Sequence, residues 1–226
     1  MKKETRFLAV LSTAAVMAFA APVFGTGMAG IVYAQEKTGW VEESAGEWKY
    51  YDSDGYMLTD SWKKQGNDWY YLDEDGSVAV SRQVDEYYVD ESGKRVSDTW
   101  LSVDNDEWFD DAPMIYWFYY GKNGKMVTDK WMSIDGQWYY FDGEGHMLTG
   151  LQEVGEATYY FGDDGVMRTG KQTIYNDDLE ENQIWYFQTK GSLKGQGYHG
   201  ERDNQVYVNG LLKKADPELR YEPVST

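Results

Sequence analysis

Trp131-Met-Ser-Ile-Asp-Gly-Gln-Trp138-Tyr139-Tyr140-Phe-Asp-Gly-Glu-Gly145-His-Met147-Leu-Thr149-Gly150 is one copy of a 20-residue unit that recurs through most of the 226-residue chain. Aromatic residues favour strands, and the Asp, Asn and Gly clusters between them favour turns, so each copy is predicted to be a β-hairpin. A single hairpin is too small to bury a core, so the copies must stack on each other. The expected fold is therefore all-β, a solenoid of stacked β-hairpins with about 20 residues per repeat.

The copies align on the glycine of the turn that follows the aromatic strand, and positions are counted from this turn glycine. Seven copies can be aligned, with turn glycines Gly55, Gly76, Gly93, Gly124, Gly145, Gly165 and Gly191. Position −7 is a tryptophan in four copies, namely Trp48, Trp69, Trp117 and Trp138. Position +2 is occupied by Met57, Val78, Arg95, Met126, Met147, Met167 or Leu193.

The N-terminus has the pattern of a secretory signal, in which basic residues precede an apolar run that ends at Ala21. We expect cleavage after Ala34, with cleavage after Ala20 as the alternative, so residues 1–34 are predicted to be a signal peptide. The protein is therefore expected to be secreted.

The rest of the chain divides into repeats and a terminal segment. About seven hairpin repeats are assigned to residues 35–199, and two of them carry insertions, near Trp108 and near Asp177. Residues 200–226 are expected to form a capping hairpin with an Asn209-Gly210 turn, followed by a charged tail.

The composition limits the classes of molecule that the protein is expected to bind. The chain has 39 acidic and 21 basic residues, a net charge of −18, which argues against nucleic acid because phosphate binding needs a basic surface. No membrane insertion is expected once the signal is removed. The chain has no cysteine, so packing without disulfides must stabilise it.

No catalytic or metal-binding motif is found, and no cofactor is expected. The acidic turns resemble calcium loops, but a tyrosine such as Tyr50 stands where an EF-hand needs an oxygen ligand, so these acids are interpreted as turn formers. The histidines are His146, expected to face solvent, and His199, around which no nucleophile–base pair or metal site assembles. Nearly all of the chain is repeat, and we expect no enzyme activity.

Several copies in register carry a family resemblance. The pattern Gly39-Trp40…Trp48, Trp62…Trp69-Tyr-Tyr71-Leu-Asp-Glu-Asp-Gly76 and Trp131…Trp138-Tyr-Tyr140-Phe-Asp-Gly-Glu-Gly145-His-Met147 resembles the cell-wall-binding (choline-binding) repeat family of Gram-positive surface proteins. It is also similar to the related glucan-binding repeats and the repeats of clostridial toxins. The resemblance covers roughly residues 38–215.

The resemblance implies ligand cages between successive hairpins. In choline-binding members, two Trp of one hairpin and a Tyr of the next form three walls. Carried onto this sequence, that implies four cages, made by Trp40, Trp48 and Tyr71; Trp62, Trp69 and Tyr88; Trp100, Trp117 and Tyr140; and Trp131, Trp138 and Tyr160. The methionines after the turns, Met57, Met126 and Met147, are expected to line the floors.

The third and sixth hairpins lack both Trp. Arg82 and Glu86, and Leu151 and Thr158, are aligned with the missing rings, so no cage is expected there. With about three hairpins per superhelical turn, as the resemblance implies, both fall on one side of the solenoid. We expect this Trp-poor face to serve packing or a partner.

The sequence therefore predicts a secreted, non-catalytic, cell-wall-associated module that binds choline on teichoic-acid-like polymers. Two alternatives stay open. Trp and Tyr could instead be stacking platforms for a neutral glycan or glucan. The rings could also all be core, in which case the repeat would be a structural or adaptor solenoid with no small ligand.

Overall fold

The computed structural model describes residues 37–105 and 113–214. All regular elements in these ranges are β-strands, which confirms the predicted all-β class of hairpins. The described residues include no helix with the length and apolar character needed to cross a membrane. The predicted signal peptide, Trp108 and the tail from residue 215 lie outside the described residues.

The strands follow each other in hairpin pairs. In chain order they are β1 (Gly39–Ser44), β2 (Glu47–Tyr51), β3 (Ser61–Gln65), β4 (Asp68–Leu72), β5 (Arg82–Val84), β6 (Tyr87–Val89), β7 (Thr99–Asp104), β8 (Ile115–Tyr120), β9 (Lys130–Ile134), β10 (Gln137–Phe141), β11 (Gly150–Val154), β12 (Ala157–Phe161), β13 (Gly170–Asn176), β14 (Glu181–Phe187), β15 (Gly200–Arg202), β16 (Gln205–Val208) and β17 (Leu211–Leu212).

The first twelve strands form six two-stranded sheets, β1–β2 through β11–β12. Tight turns join several of these pairs. Ile134 pairs with Gln137, for example, which leaves Asp135 and Gly136 as a two-residue loop with φ of 50° and 78°. Positive φ at both loop residues matches the twist of a hairpin, so Asp-Gly sequences favour this turn.

The described residues divide into two compact units. Residues 37–100 and 120–126 belong to the first, and residues 101–105, 113–119 and 127–214 belong to the second. Each unit contains hairpins in sequence order, and each is described below by itself.

One face of each aromatic strand supplies the core. Positions −6 and −4 lie on the same strand face because their separation is even. Position −4 is almost completely buried, at Leu72, Val89 and Tyr120 in the first unit and at Phe141, Phe161 and Phe187 in the second. No charged or polar residue among those described is buried, so apolar contacts supply the core of each unit.

The chain turns back after each aromatic strand to form a short third segment. The residue at position +2 forms an antiparallel β-bridge with the residue at position −4 of the same copy. Met57 pairs in this way with Tyr51, and Met147 pairs with Phe141. The Asp142 carboxylate accepts hydrogen bonds from the backbone N–H groups of Glu144 and His146 in this turn. The acidic side chains therefore form turns, as the sequence predicts.

The turn glycine of one hairpin packs on the +2 side chain of the hairpin before it. A Cβ built on Gly165 would overlap the sulfur of Met147, and Gly165 has φ of +71°. Gly76 has the same relation to Met57, with φ of +78°. The positive φ favours glycine here, and a larger residue would also have to displace the end of the methionine side chain.

The last five strands, all in the second unit, form one sheet in the order β13-β14-β17-β16-β15. The turn between β16 and β17 is Asn209-Gly210, because Val208 pairs with Leu211. The predicted Gly191 is not the turn glycine of the seventh copy. Gly195 takes this role: its N–H donates to Gln188 O, and its added Cβ would meet Met167. Extra residues after Phe187 displace the turn.

Candidate functional site

The first tryptophan of each hairpin is placed by strand register. Trp40 pairs with Tyr50, Trp62 with Tyr71, and Trp131 with Tyr140. Residues that pair across an antiparallel ladder share a face. In each case the two rings are in edge contact, with centroids 5.3–5.4 Å apart.

The tryptophan at −7 lies on the same face, one diagonal step away. Trp138 pairs with Ser133, two residues after Trp131, and the same step separates Trp69 from Trp62 and Trp48 from Trp40. Diagonal neighbours are about 7–8 Å apart. This spacing leaves room for a small group between the two indoles, and the Trp138 side chain is 42% exposed.

The third ring comes from position −6 of the next hairpin. Its centroid lies 5.5 Å from the first Trp for Trp40–Tyr70, 5.2 Å for Trp62–Tyr87 and 4.7 Å for Trp131–Tyr159. We call these the first ring set (Trp40, Trp48, Tyr70), the second ring set (Trp62, Trp69, Tyr87) and the fourth ring set (Trp131, Trp138, Tyr159).

In three of the four predicted cages, the ring in contact with the first Trp is the tyrosine one residue before the predicted one. The predicted Tyr71 and Tyr140 pair within their own hairpins. The predicted Tyr88 and Tyr160 lie over position −4 of the next hairpin, at 6.1 Å from Tyr120 and Phe187 respectively. Adjacent residues of a strand point to opposite faces, so a shift of one residue exchanges the faces.

Hydrogen bonding and burial act on the hydroxyl groups of these tyrosines. The Tyr140 hydroxyl donates to the Asp129 carboxylate at 2.8 Å, and this bond, more than burial, raises the pKa of Tyr140. Burial raises the pKa of Tyr70 and Tyr88. These groups stay neutral at physiological pH and act as ring surfaces.

A backbone hydrogen bond links the residue at +2, where the floor is predicted, to the preceding hairpin. The N–H at +2 donates to the carbonyl oxygen at −7 of the preceding hairpin, from Met167 to Trp138 and from Arg95 to Trp69, both at 2.8 Å. Met167 and Arg95 were not predicted as site residues. Position +2 recurs in every copy of the sequence, but the hydrogen bond that brings it to the preceding hairpin has no local signal in the sequence.

The three predicted floor methionines differ in their placement. Met147 donates its N–H to Trp117 O, next to a predicted ring. Met126 instead donates to Glu86 O, in the third hairpin, which lacks Trp. Met57 packs on Gly76.

The predicted set of Trp100, Trp117 and Tyr140 is divided between the units. Trp100 belongs to the first unit, and Trp117 and Tyr140 belong to the second. This cage stays a prediction from the sequence. The Trp-poor face also stays a prediction, because the third and sixth hairpins belong to different units.

The strand pairing of the third hairpin changes which residue is aligned with the first Trp of the other copies. Gln83, not Arg82, pairs with Tyr88 and so is aligned with the first Trp of other copies. Arg82 forms an ion pair with Asp73. In the sixth hairpin Leu151 pairs with Tyr160, as the alignment expects.

Two clefts are lined in part by predicted site residues, Tyr71 in the first and Met147 in the second. One, of about 600 Å³ in the first unit, is lined mainly by polar residues such as Asp60, Asp73 and Arg82. The other, of about 870 Å³ in the second unit, includes Tyr116 and His146. Neither cleft is lined by a Trp, and the convergent aromatic surfaces make the ring sets the better candidate site for a small apolar cation.

The second cleft contains the one group among the described residues that could hold a metal ion. Ligand atoms of Asp142, Glu144 and His146 lie within 4.8 Å of one another. The ring of His146 stacks on Tyr116 at 4.0 Å, whereas the sequence placed it in solvent. The Asp142 carboxylate is already used by the turn.

Comparisons with known proteins identify related repeats in this chain. Residues 37–83 and 115–149 match the family described as choline-binding repeat, and residues 149–167 match the family described as putative cell wall binding repeat. No curated protein matches the chain significantly.

Solved structures from Streptococcus pneumoniae share the fold. The modular autolysin LytC is 25% identical with a TM-score of 0.53, and the match covers 78% of this chain and 39% of that one. Choline binding protein F with a peptidoglycan analogue is 25% identical with a TM-score of 0.53, covering 79% and 58%. The choline-binding domain of CbpL is 21% identical with a TM-score of 0.55, covering 78% and 87%. The chain thus spans about two fifths of the autolysin and under two thirds of choline binding protein F.

Proposed function

The chain matches the choline-binding repeat family over residues 37–83 and 115–149, and on this premise we propose that it is a non-catalytic module that binds choline-bearing polymers of the bacterial cell wall. The proposed binding sites are the ring sets between successive hairpins. The polymer we propose is of the teichoic-acid type, and the route to the wall is secretion directed by residues 1–34.

The observation that carries this proposal is the recurrence of one aromatic geometry. In the fourth ring set, Trp131 and Trp138 share a strand face, and Tyr159 of the next hairpin lies 4.7 Å from Trp131. The first and second ring sets repeat this arrangement. A purely structural role favours burial of the indole, whereas Trp138 is 42% exposed.

This geometry suits a quaternary ammonium ion. Such a cation has no N–H to donate, so it needs no hydrogen-bond acceptor and is attracted by ring faces. Each cation–ring contact contributes about 0.5–2 kcal/mol, so one site binds free choline weakly, with a dissociation constant on the order of millimolar. Several linked sites can still hold a polymer tightly, because linkage multiplies weak binding into avidity. A repeated ligand therefore fits a repeated site.

The charge of the protein supports a cationic ligand. The chain carries a net charge of −18, which attracts cations to its surface. Salt screens such long-range attraction but affects desolvated contacts with rings much less. Salt concentration therefore separates retention by charge from retention by ring sets.

The proposal is tested on a resin whose immobilised tertiary amine mimics choline. The protein is loaded in about 1 M salt, where screening is nearly complete, and is then eluted with free choline or with oligosaccharide. Retention at this salt with elution by choline supports the proposal. Elution by the oligosaccharide alone indicates the glycan alternative, and failure to bind either ligand indicates a structural solenoid.

A further inference from the structure

The second ring set has an arginine where other hairpins have a methionine. Arg95 occupies position +2, which is Met147 and Met167 in later copies. Its N–H donates to Trp69 O at 2.8 Å, the same bond that Met167 makes to Trp138. The register therefore directs the Arg95 side chain towards the second ring set.

The guanidinium group lies over two of the three rings. Its central carbon is 5.6 Å from the ring centroid of Trp69 and 5.0 Å from that of Tyr87. Tyr87 in turn lies 5.2 Å from Trp62. Both cation distances are within the range of about 6 Å over which a cation is attracted by a ring face.

The rings, and not a carboxylate, provide the electrostatic partner of Arg95. Within residues 37–105 and 113–214, Arg82, Arg168 and Arg202 each form an ion pair with a nearby aspartate, and Arg95 forms none. This is notable in a chain with 39 acidic residues. The position of the guanidinium therefore depends on aromatic contacts.

Packing holds the side chain on its other side. A Cβ on Gly124 would lie 2.6 Å from Arg95 Nε, so the turn of the following hairpin is in close contact with the guanidinium end of the arginine. Lys125 extends over Tyr87 as well, at 5.7 Å, and is ion-paired with Glu86. The second ring set thus has two cationic groups of its own.

We propose that the second ring set is occupied by Arg95 and does not take an external quaternary ammonium. This inference rests on the proposed function. It implies that the residue at position +2 determines whether a ring set can bind an external cation. A methionine at +2, as in the fourth ring set, leaves the aromatic walls available. The number of sites is then lower than the number of Trp pairs.

The test exchanges the two residues in the full chain. Binding of choline chloride is followed by NMR through the indole N–H signals, which are assigned with single Trp→Phe variants. In the wild type, the Trp138 signal shifts with choline and the Trp69 signal does not. R95M makes the Trp69 signal shift and adds one bound choline per chain.

Two further variants test the same inference from the opposite direction. M167R places a guanidinium in the fourth ring set and removes the Trp138 response, while R95K keeps the second set closed. If far-UV circular dichroism shows that R95M does not fold, the choline response of M167R alone tests the inference. Choline binding by the wild type with no change in either R95M or M167R overturns this inference alone. No choline response in any variant overturns the proposed function, and this inference with it.

Discussion

The ring of Trp131 lies 4.7 Å from the ring of Tyr159, with the two planes 60° apart, although the residues belong to successive hairpins. The pairs Trp62–Tyr87 and Trp40–Tyr70 repeat this edge contact at 5.2 and 5.5 Å. The contact joins one hairpin to the next and also forms two walls of a ring set. Stacking of the repeat and construction of the proposed site therefore depend on the same side chains.

Replacing Tyr159 should weaken the fourth ring set more than replacing its neighbour. Tyr159 faces Trp131, whereas Tyr160 faces Phe187. We expect Y159L to lower choline affinity at this set roughly tenfold, the loss of about one ring contact. Y160L is the matched control and should leave the Trp138 NMR response to choline nearly unchanged. Equal losses in the two variants would contradict the assignment of the third ring.

The two tryptophans of the fourth ring set should differ in their contribution to stability. Trp131 contacts Tyr140, Tyr159 and Phe161, so W131A should reduce the free energy of unfolding by about 3 kcal/mol as well as abolish binding. Trp138 is 42% exposed, so W138A should abolish binding with a loss of under about 1 kcal/mol. Urea unfolding and the choline titration measure the two effects. A large stability loss in W138A would show that this indole is core.

A side chain at the turn glycine should destabilise the protein. G165A brings a methyl group into the sulfur of Met147 at a φ of +71°, which should cost about 1–3 kcal/mol from backbone strain and from displacement of the methionine side chain. G143A is the control, because nothing lies within 4 Å of a Cβ there. Thermal unfolding compares the two variants. The double variant G165A/M147A should recover part of the loss, since it removes the overlap but not the strain; no recovery would argue against the contact.

Tyr120 should make the protein sensitive to alkali. Burial raises the pKa of Tyr120 to about 12. Below about pH 10 the group is protonated in both states, so it has no effect on stability. Above that pH the unfolded chain releases the proton and the folded chain retains it, so the free energy of unfolding falls by about 1.4 kcal/mol per pH unit up to the folded pKa.

The Y120F variant isolates this effect. Phenylalanine occupies the same position at Phe141, Phe161 and Phe187, so the ring should fit without the hydroxyl group. Urea unfolding at pH 7 and pH 11 should show similar stability for the two proteins at neutral pH and a smaller alkaline loss for Y120F. Identical pH dependence would indicate that Tyr120 does not titrate in this way.

The amino-acid sequence by itself determined the hairpins. Strand residues alternate with Asp and Gly turns, and these preferences act within a few residues, as at Asp135-Gly136. Six of the seven turn glycines follow from the same local pattern, whereas in the seventh copy extra residues after Phe187 move the turn from Gly191 to Gly195. The sequence also predicted that the first Trp and the −7 Trp lie together, and the strand register places both on one face in the first, second and fourth ring sets.

Only the tertiary structure decided how one hairpin meets the next. Tyr159 and Tyr160 are adjacent and chemically identical, and they point to opposite faces of one strand. The packing of the preceding hairpin selects Tyr159 as the ring that meets Trp131. The N–H bond from Arg95 to Trp69 O likewise brings a cation to a ring set 26 residues along the chain. Such contacts depend on the stacking register of separate hairpins, which no local preference encodes.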